Sequence, residues 1–337
     1  MSGCVYVTAG WGIHDARWVG ALQDVGRVPV VVSLGRDVHD VRELRQAVAS
    51  AADDGRPVLA GPLDTVTRHL VDSGAHLVGL SWGYDLHDLH RDGADLTWLT
   101  RLDGLIVDSE ANREIALSAG VQVDRITFLP WGVDLATFAF HGPWVDAFQL
   151  GVPPHAPLVV SLRAHEPIYR VGDILAAFAR VPRPDGLHEE VPDPFLIVGH
   201  TGSLTPNLRQ QAMDLGIASR TRFIGSVPES ELAPLLGRAA CYVTAAEVDG
   251  TSVTLLQAMA CGTPVIASAT PGNLGWIVDG VTGFTFPTGD VAALAAALAG
   301  VTARYPTGVV LRARERVSAD ADWHANLSRL REAMDAV

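Results

Sequence analysis

Residues 249–268, DGTSVTLLQAMACGTPVIAS, place an acid and a glycine ahead of two hydroxyls at the start of a short apolar helix. Asp249 and Gly250 open the segment, Thr251 or Ser252 is the expected cap, and Val253 is the first helical position. The first amides of a helix are unpaired and its dipole adds positive potential, so an anion is favoured there. Gly250 lets backbone approach closely. Gln257, between one and two turns in, is spaced to face a hydroxyl beside that anion. Ordinary capping with a solvent-facing glutamine accounts for the same residues.

A second segment, VVSLRAHEPIYRVGD at 159–173, also runs from a strand into a helix, with Asp173 as its expected cap. Its Arg163 and Arg170 are suited to clamp a diphosphate bidentately, or are simply surface arginines. Near the N-terminus, TAGWGIHDARW follows the first apolar run. Gly10 and Gly12 permit a tight backbone approach, and Gly12 is counted among the ligand-binding positions. Asp15, however, stands where a dinucleotide fingerprint needs its third glycine, which excludes a nicotinamide site. His14 reads as a ligand contact or as a loop histidine near a helix cap. SWGYDLHDLH supplies Trp82 and Asp85 to the same side, or these are an aromatic core residue beside a capping acid.

These residues need elements to hold them. Short apolar, β-branched runs recur with helical patterns between: CVYVTA, PVVVSL, PVLA, HLVGLSW, GLIVDS and ITFLPW, then PLVVSL, FLIVG, RFIG, CYVTA and PVIAS. Runs apolar on both faces predict parallel strands covered by helices on each side. The fold class is therefore α/β, with two Rossmann-like doubly wound domains in tandem. In such sheets ligands bind beyond the carboxyl ends of the strands, where the motifs fall. The Pro-, Gly- and aromatic-rich stretch 138–157 predicts a connection near 140–156. Expected domains are 1–145 and 146–305, with a helical segment, 306–337, that can pack on either.

Composition narrows the chemistry. All 25 basic residues are arginine, so neither a pyridoxal phosphate Schiff base nor a Walker P-loop is possible. Any phosphate must be held by arginine, backbone amides or metal. The formal charge of -13 opposes nonspecific attraction to nucleic acid or anionic lipid. Cys4, Cys241 and Cys261 lie in apolar runs without metal-ligand spacing, as expected of buried thiols in a reducing compartment. The N-terminus has no basic leader and no apolar stretch has the length of a membrane span. The expectation is a cytoplasmic protein without a transmembrane segment.

DGTSVTLLQAMACGTPVIAS, followed by PGNLGWIVDGVTGFTFPTGD, resembles the signature of family 4 of the glycosyltransferases, retaining GT-B enzymes that use nucleotide sugars. LPWGVDLATF, FIGSVPESELAPLLGRAACYV and SLRAHEPIYR are similar to that family in place and order. The resemblance implies two domains facing a central cleft, the first binding an acceptor and the second a nucleoside-diphosphate sugar, with no metal and no covalent nucleophile. It implies Arg163 and Arg170 on the diphosphate, with Gly199, Val227, Gly250, Thr251, Ser252, Val253 and Gln257 lining the nucleotide site. Asp249, Asp85 and His14 join the two arginines as catalytic candidates. The two glutamates of the family pattern fall on Asp249 and Gln257, both departures; Glu247 is placed to substitute for the first. The implied activity is transfer of a sugar to a small, polar, soluble acceptor. The alternative is a noncatalytic nucleotide-sugar-binding protein or partner subunit.

Overall fold

The computed structural model describes residues 2–53, 55–140, 150–182 and 193–337. The first six apolar runs form β1 (Ser2–Thr8), β2 (Arg27–Ser33), β3 (Val58–Ala60), β4 (Leu77–Leu80), β5 (Gly104–Val107) and β6 (Ile126–Phe128). Helices α1 (Ile13–Asp24), α2 (Val41–Ala51), α3 (Tyr84–Arg91) and α4 (Glu110–Ser118) cross between them. The strands make one parallel sheet in the order β2-β1-β3-β4-β5-β6. β3 and β4 are wholly buried, as strands covered on both faces should be. β2, at the edge, leaves Val28 and Val30 exposed.

The second series forms β7 (Leu158–Ser161), β8 (Phe195–Gly199), β9 (Thr221–Gly225), β10 (Cys241–Thr244), β11 (Val265–Ser268) and β12 (Phe284–Phe286). With them come α5 (Val171–Phe178), α6 (Thr205–Asp214), α7 (Glu229–Arg238), α8 (Val253–Ala260), α9 (Pro271–Leu274) and α10 (Val291–Ala303). This sheet is also parallel, in the order β12-β11-β10-β7-β8-β9. The apolar runs did not announce β12, whose three residues sit between glycine and proline.

The chain divides into two compact units, Met1–Trp131 with Trp323–Val337, and Gly132–Asp322. The boundary expected at 145/146 lies outside the described residues. The terminal segment is two helices, α11 (Thr307–Asp320) in the second unit and α12 (Trp323–Asp335) in the first. α12 is fastened there: the Arg17 guanidinium lies 4.2 Å from the Trp323 ring centre and Arg27 donates to the Met334 carbonyl at 2.8 Å.

In each sheet the strand order reverses once, between β1 and β3 and between β7 and β10. The loops that follow these strands therefore border a crevice at the carboxyl edge. Within the second unit, α8 supplies one wall of that edge and ends on Gly262, whose φ is +77°. A Cβ there would sit 2.2 Å from the Phe140 ring. Gly262→Ala is expected to destabilise the second unit by roughly 2 kcal/mol or more, from backbone strain and the clash together. Chemical denaturation of the variant checks this; an unchanged midpoint would contradict the packing described.

Candidate functional site

The site in the second unit is built where the loop after β7 meets the loop after β10. Arg163 leaves β7 and reaches across to α8, donating to the Ser252 hydroxyl at 3.1 Å and pairing with Asp249 at 2.9 Å. Its guanidinium also lies 4.4 Å from the centre of the Tyr169 ring. Both charged side chains are largely buried, at 13% and 12% exposed. Burial opposes the arginine's charge, but Asp249, with Tyr242 and Tyr169, outweighs it and raises its pKa. Beneath it, burial pushes the Tyr242 hydroxyl up to about 12.

Arg170 is held separately. Its backbone adopts a left-handed conformation, φ +47°, and its guanidinium pairs with Asp173 at 2.7 Å and Glu247 at 2.5 Å. Asp173, expected as the helix cap, instead sits in the first turn of α5; Arg170 itself occupies the cap position and no side chain caps the helix. Glu247 thus serves Arg170, while its amide donates to the Ile168 carbonyl at 2.8 Å. Two ion pairs join the loops on either side of the reversal.

Ser252 stands at the cap position of α8, but its hydroxyl accepts from Arg163 and makes no side-chain cap. The Ser252 side chain thus leaves the first amides of the helix uncapped by its own hydroxyl. Val253 and Gln257, one turn apart, share its half-buried face, whereas Leu255, Leu256 and Ala258 are buried. Thr251 is buried beside Gly250. The loop is braced from β11: the Ser268 hydroxyl donates to the Ala246 carbonyl at 2.6 Å, and a Cβ on Gly272 would lie 2.2 and 2.3 Å from the Gly250 and Asp249 carbonyl oxygens. Only glycine fits at 272.

Gly199 closes β8 beside Val227, 3.5 Å from where its Cβ would stand. The Gly199 carbonyl accepts from Nε2 of the buried His165 at 3.1 Å, while Nδ1 faces the Thr205 hydroxyl at 2.8 Å. A carbonyl only accepts, so Nε2 carries the proton, and burial favours the neutral ring. His165 thereby fixes the loop after β8. Sequence reading passed over His165, Tyr169, Tyr242 and Gly272. His165 and Tyr169 were inside the SLRAHEPIYR run, and Gly272 was inside PGNLGW; what each touches is a tertiary fact.

The first unit has its own edge loops. Asp15 accepts from the Gly12 amide at 2.7 Å and from the Tyr6 hydroxyl at 3.0 Å, so the acid that breaks the dinucleotide fingerprint locks the start of α1. His14 is exposed, its ring 5.0 Å from Trp131 and 6.0 Å from Trp82. Desolvation by these rings, and then Arg17, lowers its pKa. Asp85 does not reach the surface. One oxygen accepts from the Leu63 amide at 2.7 Å, the other from the Ser81 hydroxyl and the Trp82 and Leu86 amides. It therefore organises the loops after β3 and β4 rather than offering a carboxylate to a ligand.

A model of the family described as glycosyl transferases group 1 matches residues 144–313. Glycogen synthase of Mycobacterium tuberculosis (strain CDC 1551 / Oshkosh) is 30% identical over 290 residues, 85% of this chain and 64% of that enzyme. Phosphatidyl-myo-inositol mannosyltransferase of Mycolicibacterium smegmatis is 35% identical over 201 residues, 58% of this chain and 48% of its own. The chain spans less than two thirds of these relatives. Among solved structures, Anabaena HepE in complex with UDP superposes with a TM-score of 0.78 at 15% identity, covering 100% of both chains. Sucrose-phosphate synthase from Thermosynechococcus elongatus gives 0.74 at 18% identity over 98% of each. The fold is thus GT-B, two Rossmann-like units.

Burial raises the Asp85 pKa from 3.8 to about 6, against the four donors that pull it down. A raised folded pKa stabilises below the unfolded value and loses that contribution as pH climbs through the folded one. Between pH 4 and pH 7 the protein should lose about 2 kcal/mol relative to Asp85→Asn. Urea titrations of both proteins across that range read the difference directly, and parallel pH profiles would refute it.

Proposed function

The chain belongs to the family of group 1 glycosyl transferases, and from that premise we propose that it transfers a sugar from a nucleoside-diphosphate donor to a small polar acceptor with retention at the anomeric carbon, as the family 4 resemblance implies. The observation that carries this reading is Arg163, a largely buried guanidinium held at the mouth of α8 next to amides that the Ser252 side chain does not cap. As the bond from the anomeric carbon to the phosphate oxygen stretches, charge accumulates on the leaving diphosphate. Arg163, Arg170 and the amides ahead of Val253 are fixed in advance where that charge grows, so they stabilise the transition state more than the ground state. The acceptor oxygen bonds to the anomeric carbon from the same face and passes its proton to the departing phosphate. No carboxylate nucleophile is required, and in this reading no metal.

Gln257 faces the donor ribose with an uncharged amide, and Asp249 lies beside the sugar. Asp249 is at present the counter-ion of Arg163, so a diphosphate must share that guanidinium with it. In the first unit, His14 is assigned to the acceptor side, because it is exposed in the first turn of α1, the helix that follows β1 at the strand-order reversal. Among the described residues no single helix is long and apolar enough to cross a membrane. The three cysteines are unpaired. Both fit a cytoplasmic reaction on a soluble acceptor.

Two measurements test the reading. Arg163→Ala should lower turnover, followed as nucleoside diphosphate release, by about a hundredfold or more; an unaltered rate removes Arg163 from the mechanism. Asp249→Asn takes away a competing anion and should tighten binding of UDP, GDP or dTDP by roughly tenfold in calorimetry while lowering turnover. Wild-type binding of a donor with no turnover on a broad acceptor panel would leave the noncatalytic reading standing.

A further inference from the structure

Remote from the β7 and β10 loops, the second unit carries a groove of about 650 Å³ where α10 and α11 meet. The axis turns by 104° between the two helices. The floor is apolar, formed by Phe284, Ala297, Val301 and Val309. α10 contributes no charged side chain in 13 residues. Small residues leave the groove open: a Cβ added to Gly300, which lines it, meets nothing within 4 Å. A volume of this order is that of a small-molecule pocket, typically some 300–1,000 Å³ with few polar groups.

Beside the neutral Tyr305 and Thr307, two of its lining residues are cationic. Arg304 and Arg312 both line the groove, and among the described residues neither has a carboxylate partner. The Arg312 Nε donates to the Val281 carbonyl at 3.0 Å, which fixes the fork, while its terminal nitrogen lies 3.4 Å from a Cβ built on Gly308. The guanidinium therefore spans the first turn of α11, which has neither an acid nor a side-chain cap. In a chain of net charge -13, a pair of arginines left without acids at the end of an apolar groove is complementary to an anion with an apolar body. We propose that this groove binds a free amphiphilic anion, one carboxylate or phosphate head on Arg304 and Arg312 and a single apolar body along Phe284, Ala297 and Val301. A bilayer is disfavoured as the occupant because the surface is a concave corner between helices, whereas a membrane needs a projecting face. The inference does not depend on the transfer reaction.

Calorimetry on the full chain tests it, with decanoate below its micellar range as the probe. Decanoate should bind at one site per chain. The double variant Arg304→Gln/Arg312→Gln should weaken it tenfold or more, the typical result of losing charge-assisted hydrogen bonds. Gly300→Leu should do the same by filling the groove, without backbone strain and with the cations intact. Acetate, which has the head alone, and octyl glucoside, which has a neutral head, should each bind at least tenfold more weakly. Decanoate binding unchanged in both variants, equal binding of octyl glucoside, or binding confined to anionic phosphatidylglycerol vesicles would each overturn the proposal.

Discussion

The second unit's site depends on one contact, the Arg163 guanidinium held between Asp249 and Ser252 across the reversal in strand order. An arginine this deeply buried is tolerable only with a counter-ion close by, because desolvating a lone charge costs far more than folding supplies. The same contact turns the Ser252 hydroxyl toward Arg163, and that hydroxyl makes no cap on α8. Charge neutralisation and the absence of a Ser252 cap thus go with a single placement. Glu247 and Arg170 repeat the device one step outward, so the loops after β7 and β10 are joined by two ion pairs, each with its arginine on the β7 side, and by the Glu247 amide on the Ile168 carbonyl.

Much of this was legible in the chain, for physical reasons. Strands of a parallel sheet are mostly apolar, so eleven of the twelve strands among the described residues appeared as apolar runs. β12 escaped because three residues between Gly283 and Pro287 carry too little periodicity to register. Arg163, Arg170, Asp249 and Ser252 could be named, since only charge, hydroxyl and glycine at a strand-to-helix junction make an anion site. Their mutual pairing could not. That Asp249 answers Arg163 while Glu247 answers Arg170 depends on which way each loop turns, and nothing in local spacing encodes it. Asp85 shows the same limit in reverse: an acid after a strand looks reactive until its oxygens are found occupied by four donors.

The absence of lysine runs through the structure as a constraint on how positive charge is used. A guanidinium offers a planar fork and a face, and this chain exploits both: Arg163 bonds at its edge and lies over Tyr169, and Arg17 lies over Trp131 and Trp323. An ammonium at either place would keep the charge and lose the geometry. Arginine here is an architectural residue as much as an electrostatic one.

The return of α12 to the first unit has a bearing on biogenesis. The second unit, 132–322, is one uninterrupted stretch, while the first needs 323–337 to cover Trp18 and to satisfy Arg27. During vectorial synthesis the later-made unit can therefore reach its native packing as soon as it clears the ribosome. The earlier-made one must wait, with an open apolar seam, until α12 has been translated.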